Sequence, residues 1–223
     1  MTVSDKPVVV VTGVGTNAGG MIAQSLATHE SAASRAFVVS CSSQEHLDPA
    51  YDAIIAGGGV VLPVIGSLDE PAQVERLVAL TVQEYGRIDA FVDARAGLRD
   101  DSPVGQVPFD LWERRVGLRL NSLYKVFLEL RPVFARQGHG KLVSVLYRSE
   151  GATLNTIEPA QRALIGFIGE DLRSIGATAN LLSVVFPSAA ESLGTPGRPF
   201  ADIVSWLIGD DAAAVNGSHL IGY

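Results

Sequence analysis

The sequence predicts an α/β protein with a Rossmann-type, doubly wound, mainly parallel sheet of about seven strands inside a three-layer α/β/α sandwich. Short runs rich in β-branched residues alternate with longer segments whose apolar residues recur at three and four positions. This alternation indicates parallel pairing, because a parallel crossover needs about a dozen residues and a helix supplies them. The apolar runs Val8–Val11 and Leu142–Leu146 agree, since central parallel strands are covered on both faces.

The elements follow in order along the chain. The short apolar runs predict strands at Val8–Thr12, Ala36–Cys41, Val60–Ile65, Ile88–Ala94, Lys141–Leu146, Leu181–Phe186 and Ser218–Gly222. Helical spacing of apolar residues is clearest in Ala18–Thr28, Pro71–Tyr85, Phe109–Arg136, Pro159–Ser174 and Phe200–Ile208. No repeat or linker-like tract interrupts the pattern, so residues 1–223 are expected to form one domain.

The composition of the chain argues against several classes of function. The chain has 17 Lys and Arg against 24 Asp and Glu, and a net charge of −7 repels nucleic acid and anionic membrane surfaces. A single cysteine, Cys41, excludes an intramolecular disulfide, and the four histidines lack the spacing of a zinc site, so no metal is expected. No segment has the length of a membrane span, and the expected location is the cytoplasm.

The first predicted strand leads into a glycine-rich turn and then a helix. Gly13 permits a tight turn, and Gly19 permits close approach of helix and strand. The free N–H groups at the start of such a helix bind pyrophosphate. The residues Thr12, Gly13, Gly15, Asn17 and Gly19 are therefore the predicted cofactor-binding residues of this turn.

These residues resemble the short-chain dehydrogenase/reductase family, whose members open with Thr-Gly-x-x-x-Gly-x-Gly. Thr12, Gly13 and Gly19 match, whereas Asn17 stands in the place of the middle glycine, where its side chain is expected to weaken nucleotide binding without excluding it. The resemblance continues along nearly the whole chain, through Tyr85–Val92, Leu164–Phe167 and the stretch from Gly197 to Leu220.

The resemblance implies a tyrosine, a lysine four residues later, a serine and an asparagine that together transfer hydride. A phenol needs a nearby cation to exchange protons at neutral pH. The chain contains no Tyr-x-x-x-Lys, and alignment on Leu164–Phe167 puts Ile157 and Gln161 in the places of the pair. The serine place falls at Tyr147 and the asparagine place at Arg119.

Two loops also depart from the family. The Asn-Asn-Ala-Gly segment beside the nicotinamide becomes Asp93–Gly97, and the acidic residue at the end of the third strand becomes Gly66. The lid helices that follow the sixth strand are reduced to Ser188–Pro196, so a bound substrate is expected to stay exposed to water.

The fifth strand ends in polar residues, at the edge where parallel sheets place ligands. Tyr147 and Ser149 are weak catalytic candidates there, with Lys125 or Arg148 as a nearby cation, although simple loop residues are the better interpretation. Arg119 lies on a helix with several other cations, and a solvated or interfacial face is favoured over an anion site.

The residues at the end of the second strand affect the choice between NAD and NADP as cofactor. An acidic residue there favours NAD and an arginine favours NADP, but this chain has serines, including Ser42. Hydroxyl groups can bind a 2′-phosphate, so NADP is slightly favoured, if any NAD(P) binds. Cys41 is interpreted as a small buried apolar residue.

The sequence favours a family member without the usual redox machinery: a nucleotide-binding or structural pseudoenzyme or partner subunit. One alternative is an active NAD(P)-dependent oxidoreductase with relocated groups, and another is an interaction module that binds no nucleotide. The resemblance also implies a homo-oligomer, dimer or tetramer, or a hetero-oligomer with an active relative, through Phe109–Arg136 and the following helix.

Overall fold

The computed structural model describes residues 6–28, 32–95, 103–148, 152–185 and 198–222. The strands are β1 (Val8–Thr12), β2 (Ala36–Cys41), β3 (Val60–Ile65), β4 (Ala90–Asp93), β5 (Gly140–Arg148), β6 (Ala177–Val185) and β7 (His219–Gly222). The helices are α1 (Asn17–Thr28), α2 (Gln44–Ala56), α3 (Pro71–Tyr85), α4 (Phe109–Gln137), α5 (Ala152–Arg173) and α6 (Arg198–Leu207).

The strands form one sheet in the order β3-β2-β1-β4-β5-β6-β7, and all neighbouring pairs among them are parallel. Alternate residues of β1 point to opposite faces. Val9 and Val11 enter the core that contains Ile22 of α1 and Val204 of α6, whereas Val8 and Val10 enter the core built with α3, α4 and α5. The predicted doubly wound, three-layer architecture is confirmed.

Two helices differ from the sequence prediction, and both contain a proline. The clearest predicted helices left out α2, in which Pro49 interrupts the backbone hydrogen-bonding pattern. The predicted start of α5 at Pro159 is wrong, because the helix begins at Ala152 and Pro159 lies inside it. In both cases burial of an apolar face outweighs the cost of the missing N–H; Leu47 and Ile165 are examples of residues buried in this way.

In the part of the chain that the structure describes, no helix combines the length and the apolar character that a membrane crossing requires.

Candidate nucleotide-binding cleft

The order of the strands reverses at β1, which lies between β2 and β4. In open parallel sheets ligands bind outside the carboxyl ends of the strands at such a point. A cleft opens there, and its lining comes from the ends of β1, β2, β3 and β4: Gly13, Gly15, Thr16, Ser40, Cys41, Ser42, His46, Gly66, Ser67, Leu68, Asp69 and Arg95.

The first turn has the geometry expected of its glycines. Gly13 has φ +70°, a conformation that L-residues with side chains rarely adopt, and its N–H donates to the carbonyl of Ser40 at 2.8 Å. A Cβ on Gly19 would lie 2.0 Å from the Gly13 carbonyl oxygen. The expected close approach of helix and strand is confirmed, whereas the roles of these residues in nucleotide binding stay predictions.

The other predicted residues of this turn differ in their positions. Gly15 lines the cleft and lies against α2, since a Cβ there would come within 2.7 Å of the His46 Cβ. Thr12 is fully buried, and its hydroxyl donates to Asp93 Oδ1 at 3.1 Å, so it supports Asp93 from beneath the cleft. Asn17 is the first residue of α1, and its side chain lies outside the described part.

The end of β2 presents hydroxyl groups and an imidazole. Ser42 is exposed in the cleft, while the buried Ser40 hydroxyl has no hydrogen-bond partner. Ser43 Oγ lies 2.9 Å from Nδ1 of His46, which the sequence analysis did not select because it stands on the helix that was not predicted. Cys41 is buried as predicted, and its thiol donates to the Ser43 carbonyl at 3.0 Å.

An ion pair forms the opposite wall. Arg95 Nε and Nη2 each lie 2.6 Å from an oxygen of Asp93, and Nη1 donates to the Leu68 carbonyl at 2.9 Å. Burial by itself raises the pKa of Asp93, but the Arg95 guanidinium outweighs it and holds that pKa below its usual value. Arg95 therefore joins the end of β4 to the loop after β3, a clamp that the sequence analysis did not predict.

Tyr147, the weak catalytic candidate on β5, reaches the first turn. Its phenol oxygen lies 3.2 Å from Thr16 Oγ1, and it donates to the carbonyl of Ala94 at 3.4 Å. Burial raises the pKa of Tyr147 to about 12, against lowering influences from Thr16 and Arg119. The expected cation partner Lys125 forms an ion pair with Glu129 instead, at 2.6 Å along α4.

Arg119, which the sequence places on a solvated or interfacial face, is only partly exposed, and its guanidinium does not extend freely into solvent. Its Nη2 is buried and has no hydrogen-bond partner, and burial lowers the pKa of the guanidinium despite the field of Asp93. Asp93, Arg95 and Tyr147 are all within its electrostatic reach. Helical spacing alone places Arg119 on a solvated or interfacial face, so the sequence does not indicate that its guanidinium is partly buried.

The two α5 positions that correspond to the redox pair are both buried. Ile157 is 2% exposed and Gln161 is 1% exposed, with Gln161 Oε1 lacking a hydrogen-bond partner. Ser149 and the shortened lid segment Ser188–Pro196 lie outside the described residues, as does the side chain of Arg148.

Comparisons with known proteins place the chain in a family. The model of the short chain dehydrogenase family matches residues 7–152. The short-chain dehydrogenase/reductase eriH of Hericium erinaceus is 25% identical over 158 residues, which cover 68% of this chain and 62% of that protein. The short-chain reductase protein NovJ of Streptomyces niveus is 25% identical over 221 residues, which cover 96% of this chain and 79% of NovJ.

Among solved structures, NAD⁺-bound xylitol dehydrogenase superposes with a TM-score of 0.83 at 18% identity, covering 96% of both chains. This likeness concerns the fold, and it agrees with the sheet order described above. Because the family model covers more than half of the sequence, from the start of β1 to the start of α5, this chain belongs to the short-chain dehydrogenase/reductase family.

Proposed function

We propose that this protein binds an adenine nucleotide of the NAD(P) class in the cleft and does not transfer hydride by the tyrosine and lysine mechanism of its family. The observation that carries the proposal is the position of Tyr147. Its phenol is held by Thr16 and Ala94, and its pKa is raised to about 12, so it stays protonated at neutral pH.

The lysines of the chain support the same proposal. Lys125 is paired with Glu129 on α4, and Lys141 Nζ lies 2.5 Å from the Gly209 carbonyl oxygen and 3.1 Å from that of Ile208. Lys6 precedes β1 and is therefore at the opposite edge of the sheet from the cleft. Among the described side chains no lysine lowers the pKa of this phenol, and the charged group that does lower it is Arg119.

The end of β2 supports NADP over NAD. No acidic residue from β2 lines the cleft within the described residues, whereas Ser42 and His46 offer a hydroxyl and an imidazole. An acidic residue at this position binds the ribose hydroxyl of NAD and repels a 2′-phosphate. The NAD⁺-bound state of xylitol dehydrogenase supports nucleotide binding by this fold, but not the choice of nucleotide.

The alternative is an active oxidoreductase that uses Tyr147 and Ser149. The names of the relatives described above, a dehydrogenase/reductase and a reductase, favour this alternative. The raised pKa of Tyr147 opposes it, because proton exchange is most efficient when the pKa of the group is near the working pH.

Titration with NADPH and NADH tests the proposal. A nucleotide at about a hundredfold excess over its dissociation constant should stabilise the native state by about 2.7 kcal/mol, which thermal denaturation detects. Ser42→Asp should weaken NADPH binding more than NADH binding. We expect no oxidation or reduction of carbonyl compounds at ordinary enzyme rates. Turnover that Tyr147→Phe abolishes would establish the alternative, and the absence of any shift would favour an interaction module that binds no nucleotide.

We also propose that the protein assembles with itself or with a related subunit through α4 and α5. Tyr124 and Leu128 on α4 and Phe167 on α5 are exposed, the last to 73%. Exposed aromatic and aliphatic residues on two adjacent helices are typical of a subunit interface. Contact with another chain would remove these three side chains from water.

A further inference from the structure

The cleft described above lies mainly on one side of β1, the strand at which the order reverses. Its lining residues come from β1, β2, β3 and the end of β4, and Tyr147 on β5 is not among them. A dinucleotide in a doubly wound fold lies across the point where the strand order reverses, so half of it belongs on each side of β1. The side described here corresponds to the half that holds the adenosine.

Tyr147 lies at the boundary between these two halves. Its phenol oxygen is 3.2 Å from Thr16 Oγ1, in the loop that leads into α1, and it also bonds to the carbonyl of Ala94 after β4. The side chain therefore connects the ends of β4 and β5 to the first turn, across the direction that a dinucleotide has to follow.

The donors that a pyrophosphate uses in this turn are already engaged. The N–H of Gly19 donates to Thr16 Oγ1 at 3.0 Å, and the backbone N–H groups of Ala18 and Gly19 face the phenol oxygen of Tyr147. Free N–H groups at the start of a helix are what attracts a phosphate. A phosphate bridge between two nucleosides has to displace the phenol before it reaches them.

The ring is also held in place by packing. Tyr147 packs against the core on the side of α1 and α6, where Val11, Ile22 and Val204 are buried. Rotating the ring away would break the hydrogen bonds at Thr16 and Ala94 and leave a void against this core. The Arg95 clamp is a separate feature: it joins the end of β4 to Leu68, which is buried in the opposite core.

We infer that Tyr147 determines the specificity of the cleft by closing the path to its second half, so that the protein selects adenosine phosphates over complete dinucleotides. The inference rests on the proposed nucleotide binding and goes beyond it. The second nucleoside of NAD(P) then contributes no affinity, and the preferred ligand class is an adenosine nucleotide with a phosphate on its ribose.

Calorimetric titration of the whole chain with 2′,5′-ADP, AMP, NADPH and NADH tests the inference. In the unaltered protein NADPH should bind no more tightly than 2′,5′-ADP. Tyr147→Ala should increase the affinity for NADPH by about tenfold or more. It should increase the affinity for 2′,5′-ADP by less, because only NADPH has a second nucleoside to place in the reopened path. Tyr147→Phe keeps the ring in the path but frees the N–H groups of Ala18 and Gly19, so its gain in NADPH affinity should be clearly smaller than that of Tyr147→Ala.

Tyr51→Ala is the matched control, because Tyr51 on α2 packs at the edge of the same core and does not line the cleft. Tyr51→Ala should change neither the affinity for NADPH nor the affinity for 2′,5′-ADP. If NADPH binds the unaltered protein more than about tenfold more tightly than 2′,5′-ADP, the inference is wrong while nucleotide binding stands; this comparison needs no variant to fold. If no nucleotide binds the unaltered protein or Tyr147→Ala, both the inference and the proposed function fail.

Discussion

Both oxygens of the Asp93 carboxylate accept a hydrogen bond from the guanidinium of Arg95, each at 2.6 Å. The side chains are 5% and 14% exposed, so each charge is compensated by the other and not by water. Thr12 adds a hydrogen bond from below, and Arg95 continues to the carbonyl of Leu68. Asp69 Oδ1 lies farther away, 3.8 Å from Arg95 Nη1, and its side chain is half exposed, so this wall of the cleft depends mainly on Asp93.

Asp93→Asn should lower the free energy of unfolding by about 3 kcal/mol, because it leaves the buried guanidinium of Arg95 with only the more distant, half-exposed Asp69 as a counter-charge. Urea denaturation at neutral pH measures the loss. Asp171→Asn removes the partner of Arg131 in a pair whose side chains are 41% and 44% exposed, and should cost far less stability because water already screens this pair. Equal losses in the two variants would show that the buried pair has no special role.

The same pair predicts how stability changes with pH. The pKa of Asp93 is lower in the folded protein than in the unfolded chain, so its contribution is complete above the unfolded value of about 3.9 and disappears as the pH falls through the folded value. The difference in unfolding free energy between the unaltered protein and Asp93→Asn should shrink below about pH 4. A difference that stays constant in acid would contradict this origin.

Gly19→Ala should destabilise the protein by about 3 kcal/mol or more, since the added Cβ would lie 2.0 Å from the Gly13 carbonyl oxygen and the backbone would have to shift. Gly166→Ala on α5 is the control, because a Cβ there meets nothing within 4 Å. A helical glycine with free space should gain about 0.5–1 kcal/mol on this change. Thermal denaturation of both variants distinguishes steric conflict from a general effect of alanine.

Tyr147 should ionise late in an alkaline titration followed by phenolate absorbance. Its pKa is raised to about 12 by burial, so the stability that the neutral phenol contributes is complete below about pH 10 and is lost towards pH 12. Tyr147→Phe should remove this late step, although Tyr85, whose pKa is also raised by burial, will still titrate above the usual range. Tyr124→Phe, at an exposed position, should leave the late step in place.

Phe167→Glu should reduce the molar mass in solution if α4 and α5 form the proposed interface, because a carboxylate cannot be buried there without a partner. Sedimentation equilibrium gives the mass. Ile55→Glu introduces the same charge at a residue of α2 that is 48% exposed, away from that face, and should leave the assembly intact. A monomeric unaltered protein would overturn the proposal directly.

The fold could be predicted largely because its signals are local. Continuous apolar runs mark β1, β2 and β3 with the bounds that the structure gives them, and Gly13 and Gly19 mark the turn that follows β1. Proline is an ambiguous signal, because it can start, break or lie inside a helix. Pro49, Pro132 and Pro159 all lie inside helices that tertiary packing stabilises, and only α4, which contains Pro132, is predicted with nearly its observed bounds.

The site was less predictable, because its parts meet across long separations in the chain. Tyr147 and Thr16 are 131 residues apart, and no sequence periodicity relates them. Arg119 was placed among exposed cations by helical spacing, which reports the face of a helix but not what lies over its side chains. A further contact of this kind joins His219 Nε2 to Ser183 Oγ at 2.8 Å, between β7 and β6.

The hydrogen bonds of Lys141 have a practical consequence. Its ammonium group binds carbonyl oxygens just after α6, near the amino end of β5, and neither Lys141 nor the other two lysines of the sequence line the cleft. Amine-directed labels, such as a fluorescent succinimidyl ester, can therefore be attached without altering any residue that lines the ligand pocket.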